Sequence, residues 1–450
     1  MPHKVLELHR RDNCVHDPPG RRAVQAGFGW PLTASLAVRA RLGHAAVALG
    51  AGAFFVVAIL SSRLRRLVGS GRFAPTGRIV LLGTFYNTNW FLSHVRPLVR
   101  SGLREVLVVT DEPSEPLPGV RFSCPPRFLV AALGRPLSRA VWAVVLGFRE
   151  RPDLFMGYHI VPNSVSALLA ARVLGRPAVY QMTGGPIEIE GGGIGSENSW
   201  LTRLRGPSPA LERLGIAALR EFDLVVVRGS GARFWVESKR PRGRVEVVPG
   251  SVDPEEIRPA GERPIDLLYV GRFTETKRPI AFVEITAPVA AYRPSVRAVM
   301  IGDGPLLPDA RARARELGVL DRLDFRGRQT EVAADLGQAK VYVLTSRTEG
   351  LSIAMAEAMV AGAVPVVARV GDLSDLVSDG ENGYLVEVED QARFVDCARR
   401  LLDDPALREK LSREARASAT AYVGLEHVSA VWAGHLSRLV AEWPARRGSP

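Results

Sequence analysis

The sequence predicts an α/β protein built from two Rossmann-like, doubly wound parallel sheets. Short apolar strands alternate with helical stretches in two successive series, which is typical of parallel sheets covered by helices. A segment dense in proline and charge, residues 251–264, separates the two series as a domain boundary would. With 450 residues, the chain is long enough for two sizeable cores.

These observations divide the chain into four expected regions. We expect an N-terminal hydrophobic extension, a first sheet domain, a second sheet domain, and a final helix with a tail. Their expected bounds are residues 1–75, 76–252, 253–425 and 426–450.

The extension contains one uncharged segment, residues 42–60, which lies between arginines. As a helix it would be roughly 28 Å long, just enough to cross the hydrocarbon core of a bilayer. It is rich in alanine and glycine, so its apolarity is marginal. Two interpretations remain open: a helix that spans or lies in a membrane, and a helical extension buried against the protein.

The first series begins at Arg78, and its predicted helices cover residues 91–100, 127–149, 164–173 and 209–221. The long stretch 127–149 is amphipathic. Apolar, β-branched runs predict the strands. These strands are residues 79–82, 105–110, 153–159, 178–183, 224–227 and 245–248.

The second series contains six more apolar runs and is mostly helical after Asp390. In the last helix, apolar residues from Val428 to Val440 recur at helical spacing on one face. The predicted strands are residues 265–270, 296–301, 323–325, 341–344, 364–367 and 384–386.

The stretch VYVLTSRTEGLSIAMAEAMVAG, residues 341–362, predicts a buried strand, a polar loop and a helix capped by Ser352. Loops at the carboxyl ends of parallel strands bind ligands, and the helix start suits an anionic or hydroxyl-rich one. Glu349 lies in the loop and Glu357 in the helix. A buried Glu357 needs a polar partner and could accept hydrogen bonds from both hydroxyls of a ribose. The alternative is a solvent-facing glutamate on an ordinary helix.

A second loop, Gly271 to Lys277, directly follows a buried strand. Arg272 offers a planar fork of donors and Lys277 a point charge, which together can neutralise a diphosphate. The alternative is a surface loop held by salt bridges.

Three further strand ends carry candidate residues. His159 closes a parallel strand, which favours a place at a ligand site over a purely structural role. Gly184 and Gly185 would let backbone approach a bound ligand, unless they only make the loop flexible. The turn that contains Gly304 is more typical of an ordinary strand-end turn. Trp90, at the end of the loop from Asn87, could stack on a sugar or belong to the core.

The motif Glu349-Gly350-Leu351-Ser352 followed by Glu357-Ala358, Gly362 and Pro365 resembles the E-x7-E signature of retaining glycosyltransferases of family 4. The similarity extends over residues 265–425 and more loosely from Arg78. It implies the GT-B fold, in which two Rossmann-like domains face each other across a cleft and the last helix returns to the first domain. Leu-Ser stands where many members have Phe-Gly, and Asn87 to Trp90 replaces a Gly-Gly opening, which leaves the acceptor undefined.

The resemblance also implies roles for individual residues. Arg272 and Lys277 would hold the donor diphosphate and stabilise the leaving group, with Glu349 and His159 near the reacting sugar. Glu357 would bind the ribose hydroxyls. The other residues expected to contact the nucleotide-sugar donor are Gly350, Leu351, Ser352, Gly304, Arg328, Gly184 and Gly185.

Composition and missing motifs argue against several other classes of function. A net charge of +12 is compatible with nucleic acid, anionic lipid or phosphate-bearing substrates, but no nucleic-acid motif accompanies it. No Asp-x-Asp, Walker A or His-Glu-x-x-His motif occurs, so a metal site, an NTPase and a zincin lack support. Three scattered cysteines predict neither a disulfide framework nor a zinc site, which favours the reducing cytoplasm.

The sequence therefore predicts a retaining, metal-independent glycosyltransferase without a cofactor other than its nucleoside-diphosphate-sugar donor. The expected acceptor is a saccharide or a lipid-linked one, and nucleic acid is not an expected partner. The expected location is the cytoplasm, at the inner face of the plasma membrane if residues 42–60 contact lipid. The alternative is a membrane-associated nucleotide-sugar-binding protein without catalytic activity.

Overall fold

The computed structural model describes residues 34–68, 75–85, 88–191 and 208–443, and it contains two parallel sheets. The first sheet has the strand order β3-β2-β1-β4-β5-β6-β7. Strand β1 pairs in parallel with β2 and β4, which places Val80 opposite Leu107 and Phe155. The strands are β1 Arg78–Leu82, β2 Glu105–Val109, β3 Val120–Ser123, β4 Leu154–Tyr158, β5 Ala178–Gln181, β6 Leu224–Val227 and β7 Arg244–Val247.

The second sheet has the order β10-β9-β8-β11-β12-β13, with every pair parallel. The prediction of two Rossmann-like parallel-sheet domains is therefore confirmed. The strands are β8 Ile265–Val270, β9 Ala298–Ile301, β10 Leu323–Gly327, β11 Ala339–Leu344, β12 Val364–Ala368 and β13 Tyr384–Val386.

Helices cover both faces of each sheet, as the alternation of strands and helices requires. Those associated with the first sheet are α1 Ala34–Val68, α2 Thr88–Arg100, α3 Arg127–Glu150, α4 Val165–Leu174, α5 Pro209–Leu219 and α6 Ser230–Ser238. The remaining described helices are α7 Pro279–Tyr292, α8 Leu307–Glu316, α9 Ala333–Gln338, α10 Ile353–Val360, α11 Gln391–Asp403, α12 Pro405–Val423 and α13 Leu425–Glu442.

The two faces of the first sheet have different partners. Helices α1, α3, α4 and α5 share one apolar cluster with Val80, Leu82 and Phe155. On the opposite face, α2 packs together with the last helix, α13, which brings Trp432 against Leu81 in a second cluster. The end of the chain thus returns to the first domain.

Helix α1 packs against α4 and α5 over the uncharged segment. Phe55 and Ala58 are fully buried in that contact, and Arg172 Nε donates a 2.9 Å hydrogen bond to Ser62 Oγ. The predicted segment is therefore buried against the protein on one side, while Val57 and Leu60 on its other side are more than half exposed.

Two strands of the structure differ from the predictions. Strand β3 was not predicted, because Val120–Ser123 is short and only partly buried at the edge of the sheet. Strand β9 begins at Ala298, two residues later than predicted, since residues 294–297 form a turn. Cys397 is a buried free thiol.

Candidate functional site

The loop after β11 and the start of α10 form the centre of the candidate site. Ser352 caps α10, because its hydroxyl accepts a 3.3 Å hydrogen bond from the backbone N–H of Met355. Leu351 is buried, and Gly350 meets the first domain: a Cβ on Gly350 would lie 3.1 Å from the carbonyl oxygen of Thr183. The helix start therefore faces the strand ends of the other sheet.

Lys277 and Glu349 are joined directly in this cleft. The Lys277 Nζ lies 2.5 Å from Glu349 Oε1, and the two side chains are 19% and 8% exposed. Their loops are fastened to each other, since Arg347 N–H donates to Thr276 O at 2.8 Å and Thr345 Oγ1 donates to Arg278 O at 2.9 Å. Two residues that are 72 positions apart thus form one ion pair at the carboxyl end of the second sheet.

Arg272 lies on the same loop as Lys277 but is exposed. Its carbonyl accepts a 2.9 Å hydrogen bond from the Tyr269 hydroxyl, which holds the backbone of the loop. Within the described part of the chain, no carboxylate lies within 4 Å of its guanidinium. Arg272 is therefore a cation beside the Lys277–Glu349 pair that an anionic ligand can reach.

The turn around Gly304 packs the loops after β8 and β9 against each other. Gly304 has φ +152°, and a Cβ there would lie 2.5 Å from Phe273 O. The Phe273 N–H donates to Asp303 O at 2.9 Å, and Leu306 N–H donates to Phe273 O at 3.0 Å. Gly304 therefore has a structural reason to be glycine, whether or not a nucleotide lies beside it.

Glu357 lies half-buried in an otherwise apolar helix and lines a cavity of about 500 Å³ between the two domains. No described side chain donates a hydrogen bond to its carboxyl group, and burial raises the pKa of Glu357 to about 7. Glu357 is therefore not the solvent-facing glutamate of the alternative interpretation, and no described side chain of the protein serves as its hydrogen-bond donor. The polar residues that line the same cavity include Asn89, Ser93, Arg96, Thr330 and Glu331.

Arg328 is exposed on the loop after β10, next to the residues that this loop contributes to the cavity. Asn89 of the predicted acceptor-side loop lines the cavity, whereas Asn87 lies outside the described residues.

His159 lies across the cleft from the Glu349 loop. Its backbone adopts φ 58°, and its side chain is 44% exposed. The ring stacks on Trp90 at a centroid distance of 6.0 Å and an interplanar angle of 7°. Its Nδ1 is 3.3 Å from Thr183 Oγ1, and Thr183 is the residue whose carbonyl meets Gly350. Trp90 therefore supports a histidine of the site, although it also belongs to the core of the first domain.

A residue that the sequence did not single out, Glu188, holds His159 in place. Glu188 Oε1 is 3.1 Å from His159 Nδ1, and the glutamate side chain is only 3% exposed. The carboxylate also accepts hydrogen bonds from the backbone N–H groups of Thr183 and Gly184, both at 2.6 Å, and from the Tyr180 hydroxyl at 2.8 Å. Burial acts to raise the pKa of Glu188, but the charge of His159 and these hydrogen bonds outweigh it and lower the pKa.

This network changes the interpretation of the two predicted glycines. The Gly184 N–H is directed to Glu188. Gly185 has φ +74° with open space around its Cβ position, so its conformation requires glycine even though its surroundings would not. The sequence feature that could have identified Glu188 is its place three residues after the glycine pair Gly184-Gly185, which follows a strand end.

The domains are also joined at a second place. Asp372 Oδ1 accepts hydrogen bonds from the N–H groups of Gly231 and Ala232, at 2.8 and 3.2 Å, and Asp375 Oδ2 accepts one from Ser230 N–H at 2.5 Å. Two carboxylates of the second domain therefore cap the start of α6 in the first domain.

Residues 254–418 match the family described as Glycosyl transferases group 1. A glycosyltransferase group 1 domain is therefore present in the C-terminal half of the chain. The chain is 26% identical over 282 residues to N-acetyl-alpha-D-glucosaminyl L-malate synthase of Bacillus anthracis, covering 60% of this chain and 70% of that one. It is 33% identical over 198 residues to D-inositol 3-phosphate glycosyltransferase of Acidothermus cellulolyticus. That match covers only 39% of this chain and 44% of the relative.

Solved structures share the architecture at low sequence identity. Anabaena HepE in complex with UDP superposes with a TM-score of 0.63 at 16% identity, covering 80% of this chain and 100% of that one. Sucrose-phosphate synthase from Thermosynechococcus elongatus has a TM-score of 0.63 at 19% identity, covering 81% and 99%. These similarities establish the GT-B fold.

Proposed function

We propose that this protein is a retaining, metal-independent glycosyltransferase that takes a sugar from a nucleoside-diphosphate sugar. The observation that carries the proposal is the Lys277–Glu349 ion pair, which joins the loop that carries the exposed Arg272 to the loop that leads into α10. Glu357, on α10, lines the cavity between the domains. Cations for a diphosphate, an acidic side chain for a sugar and a second one for a ribose are the groups that such a donor requires.

The ion pair itself suggests how the donor is received. Glu349 forms an ion pair with Lys277. A diphosphate would compete for the Lys277 ammonium, and Glu349 would then be available to accept hydrogen bonds from sugar hydroxyls. As the bond between sugar and phosphate breaks, negative charge grows on the departing nucleoside diphosphate, so Arg272 and Lys277 would stabilise the transition state more than the bound donor.

The first domain would supply the acceptor side. His159 is half-exposed and held by Glu188, so one ring nitrogen is directed away from the cleft and the other remains available to orient a sugar or pass on a proton. A histidine prepared in this way supports catalysis over the alternative of a nucleotide-sugar-binding protein without activity.

The proposal also includes the acceptor, the cellular location and a membrane contact. The acceptor is a saccharide or a lipid-linked molecule, the protein acts in the cytoplasm at the inner face of the plasma membrane, and residues 42–60 take part in membrane contact. Relatives are named for different sugar acceptors, among them L-malate and D-inositol 3-phosphate, so their names support transfer to a hydroxyl-bearing acceptor without selecting one.

A panel of nucleotide sugars tests the proposal in two steps. Thermal-shift measurements should identify one donor that raises the Tm of the full chain more than its free sugar does. Incubation with that donor and candidate acceptors, followed by NMR of the product, should show the donor's anomeric configuration retained and activity unaffected by a chelator. An inverted product would contradict the retaining mechanism, loss of activity with the chelator would contradict metal independence, and absence of any donor effect would refute the assignment.

A further inference from the structure

Exposed apolar side chains are concentrated on two helices of the first domain. Among the described residues, five of the exposed large apolar side chains lie on α1 and six on α3, against three on the rest. Those on α1 are Leu49, Val56, Val57, Leu60 and Leu64. Those on α3 are Phe128, Leu133, Leu137, Val141, Val145 and Phe148. Such a concentration on one region marks an interaction surface, whereas single exposed apolar residues do not.

The two helices lie on the same face of the first sheet. Both pack against α4 and contribute to the same apolar cluster, on the sheet face opposite α2 and α13. Their inner sides are buried, for example at Phe55 and Ala143. The backbone of α3 is non-helical at Gly134, and after this break the exposed residues Leu137, Val141, Val145 and Phe148 follow at intervals of three or four positions. They therefore form a stripe on the outer side of α3. Val173 of α4, which is 50% exposed, extends the apolar surface beyond α1 and α3.

Charge distinguishes the possible occupants of this surface. Helix α1 contains no acidic residue, and the sequence of α3 contains only Glu150. Arg63, Arg135 and Arg149 are 59%, 70% and 74% exposed, and their ion pairs are long, between 3.6 and 3.9 Å. Apolar side chains together with arginines that retain free donors suit the boundary between the acyl chains and the phosphates of a bilayer.

We propose that the outer sides of α1 and α3 together form a docking surface for an anionic lipid bilayer. The protein lies on the membrane without crossing it at this surface, because the inner side of α1 is used against α4 and α5 and Ser62 is bonded to Arg172. By length and composition, Ala48–Arg65 of α1 and Arg127–Glu150 of α3 are long and apolar enough to cross a membrane. Each helix, however, packs one side against the protein core. The surface extends the membrane contact proposed above for residues 42–60 by adding α3, and it does not depend on the proposed sugar transfer.

Vesicle flotation of the full chain tests the proposal directly. Wild-type protein should float with vesicles of phosphatidylcholine and phosphatidylglycerol and less with vesicles of phosphatidylcholine alone. High salt should reduce binding to the anionic vesicles, because it screens the attraction between arginines and phosphatidylglycerol. The double variant Val141→Glu/Val145→Glu should reduce the bound fraction at least about tenfold, because it places two carboxylates at the apolar boundary. The matched control is Phe234→Glu on α6, since Phe234 is 76% exposed but lies outside the surface.

Folding controls and a second double variant distinguish loss of membrane binding from loss of the fold. Circular dichroism and Tm must match wild type for each variant, and Arg135→Glu/Arg149→Glu replaces the apolar variant if that one does not fold. The arginine variant should lose the preference for phosphatidylglycerol. The proposal is overturned if wild type does not bind anionic vesicles, if both double variants bind as wild type does, or if light scattering finds a wild-type dimer that Val141→Glu/Val145→Glu dissociates.

Discussion

His159 Nδ1 lies 3.1 Å from Oε1 of Glu188, a carboxylate that is almost completely buried in the first domain. Glu188 is itself fixed by two backbone N–H groups and a tyrosine hydroxyl, so it has no freedom to follow the ring. When the His159 ring is neutral, an ionised, fixed acceptor at Nδ1 selects the tautomer with the proton on that nitrogen. The other ring nitrogen is then an acceptor, which is the form needed to receive a proton or a sugar hydroxyl.

Replacing this carboxylate should slow turnover without weakening donor binding. For Glu188→Gln we expect kcat to fall about tenfold or more, because the ring loses its orientation and its preferred tautomer, while the KM for the donor stays close to wild type. Steady-state kinetics with the donor identified by thermal shift provides the measurement.

A double-variant cycle separates positioning from general damage to the fold. If Glu188 acts through His159, then His159→Ala/Glu188→Gln should be no slower than His159→Ala alone. Additive losses in the cycle, or a lower Tm that accounts for the lost activity, would show that Glu188 only supports the fold.

Removal of either member of the cleft ion pair should reduce catalysis. Lys277→Ala and Glu349→Ala should each lower kcat/KM more than about tenfold, equivalent to ~1.4 kcal/mol or more of transition-state stabilisation. Lys239→Ala is the matched control, because Lys239 forms a comparable 2.8 Å pair with Glu190 on the surface of the first domain. Wild-type kcat/KM in both cleft variants would refute the assigned roles.

The raised pKa of Glu357 should make stability depend on pH. Burial raises this pKa from 4.5 to about 7, so between these values the folded protein keeps a proton that the unfolded chain has released. The contribution of Glu357 to the free energy of unfolding therefore falls as the pH rises through that window. From about pH 5 to about pH 8, the wild type should lose about 1–2 kcal/mol more than Glu357→Gln.

Urea unfolding of both proteins across this pH range measures the difference. Since only the ionised carboxylate accepts from both ribose hydroxyls, donor affinity should rise with pH in wild type and stay level in Glu357→Gln. Stability curves that run parallel for the two proteins would show that Glu357 is solvated and not buried as described.

The carboxylates that cap α6 should hold the two domains together. We expect Asp372→Ala/Asp375→Ala to open the cleft and weaken donor binding, because the start of α6 loses acceptors that only the second domain supplies. Small-angle scattering should report a larger radius of gyration. Asp390→Ala is the control, since Asp390 caps α11 within its own domain through a 3.0 Å hydrogen bond from Arg393 N–H.

The control should cost about 1 kcal/mol of stability, as a lost cap does, and leave the scattering curve unchanged. Equal effects of the two changes on the radius of gyration would show that the capping carboxylates do not set the domain arrangement.

The sequence alone was sufficient for the elements that depend on local pattern. The strand and helix around Glu349 and Glu357 follow from a β-branched run, a serine cap and a run of good helix formers, all of which act over a few residues. The alternation of such units was also sufficient for two parallel sheets.

Tertiary structure decided which side chains meet. Lys277 and Glu349 are 72 positions apart, and Glu188 reaches His159 only because β4 and β5 are neighbours in the sheet. It also decided that one side of α1 is buried while the other is exposed, which hydropathy along the chain does not distinguish. The physical reason is that local periodicity records burial and backbone preference, whereas contacts between distant residues depend on strand order and helix packing.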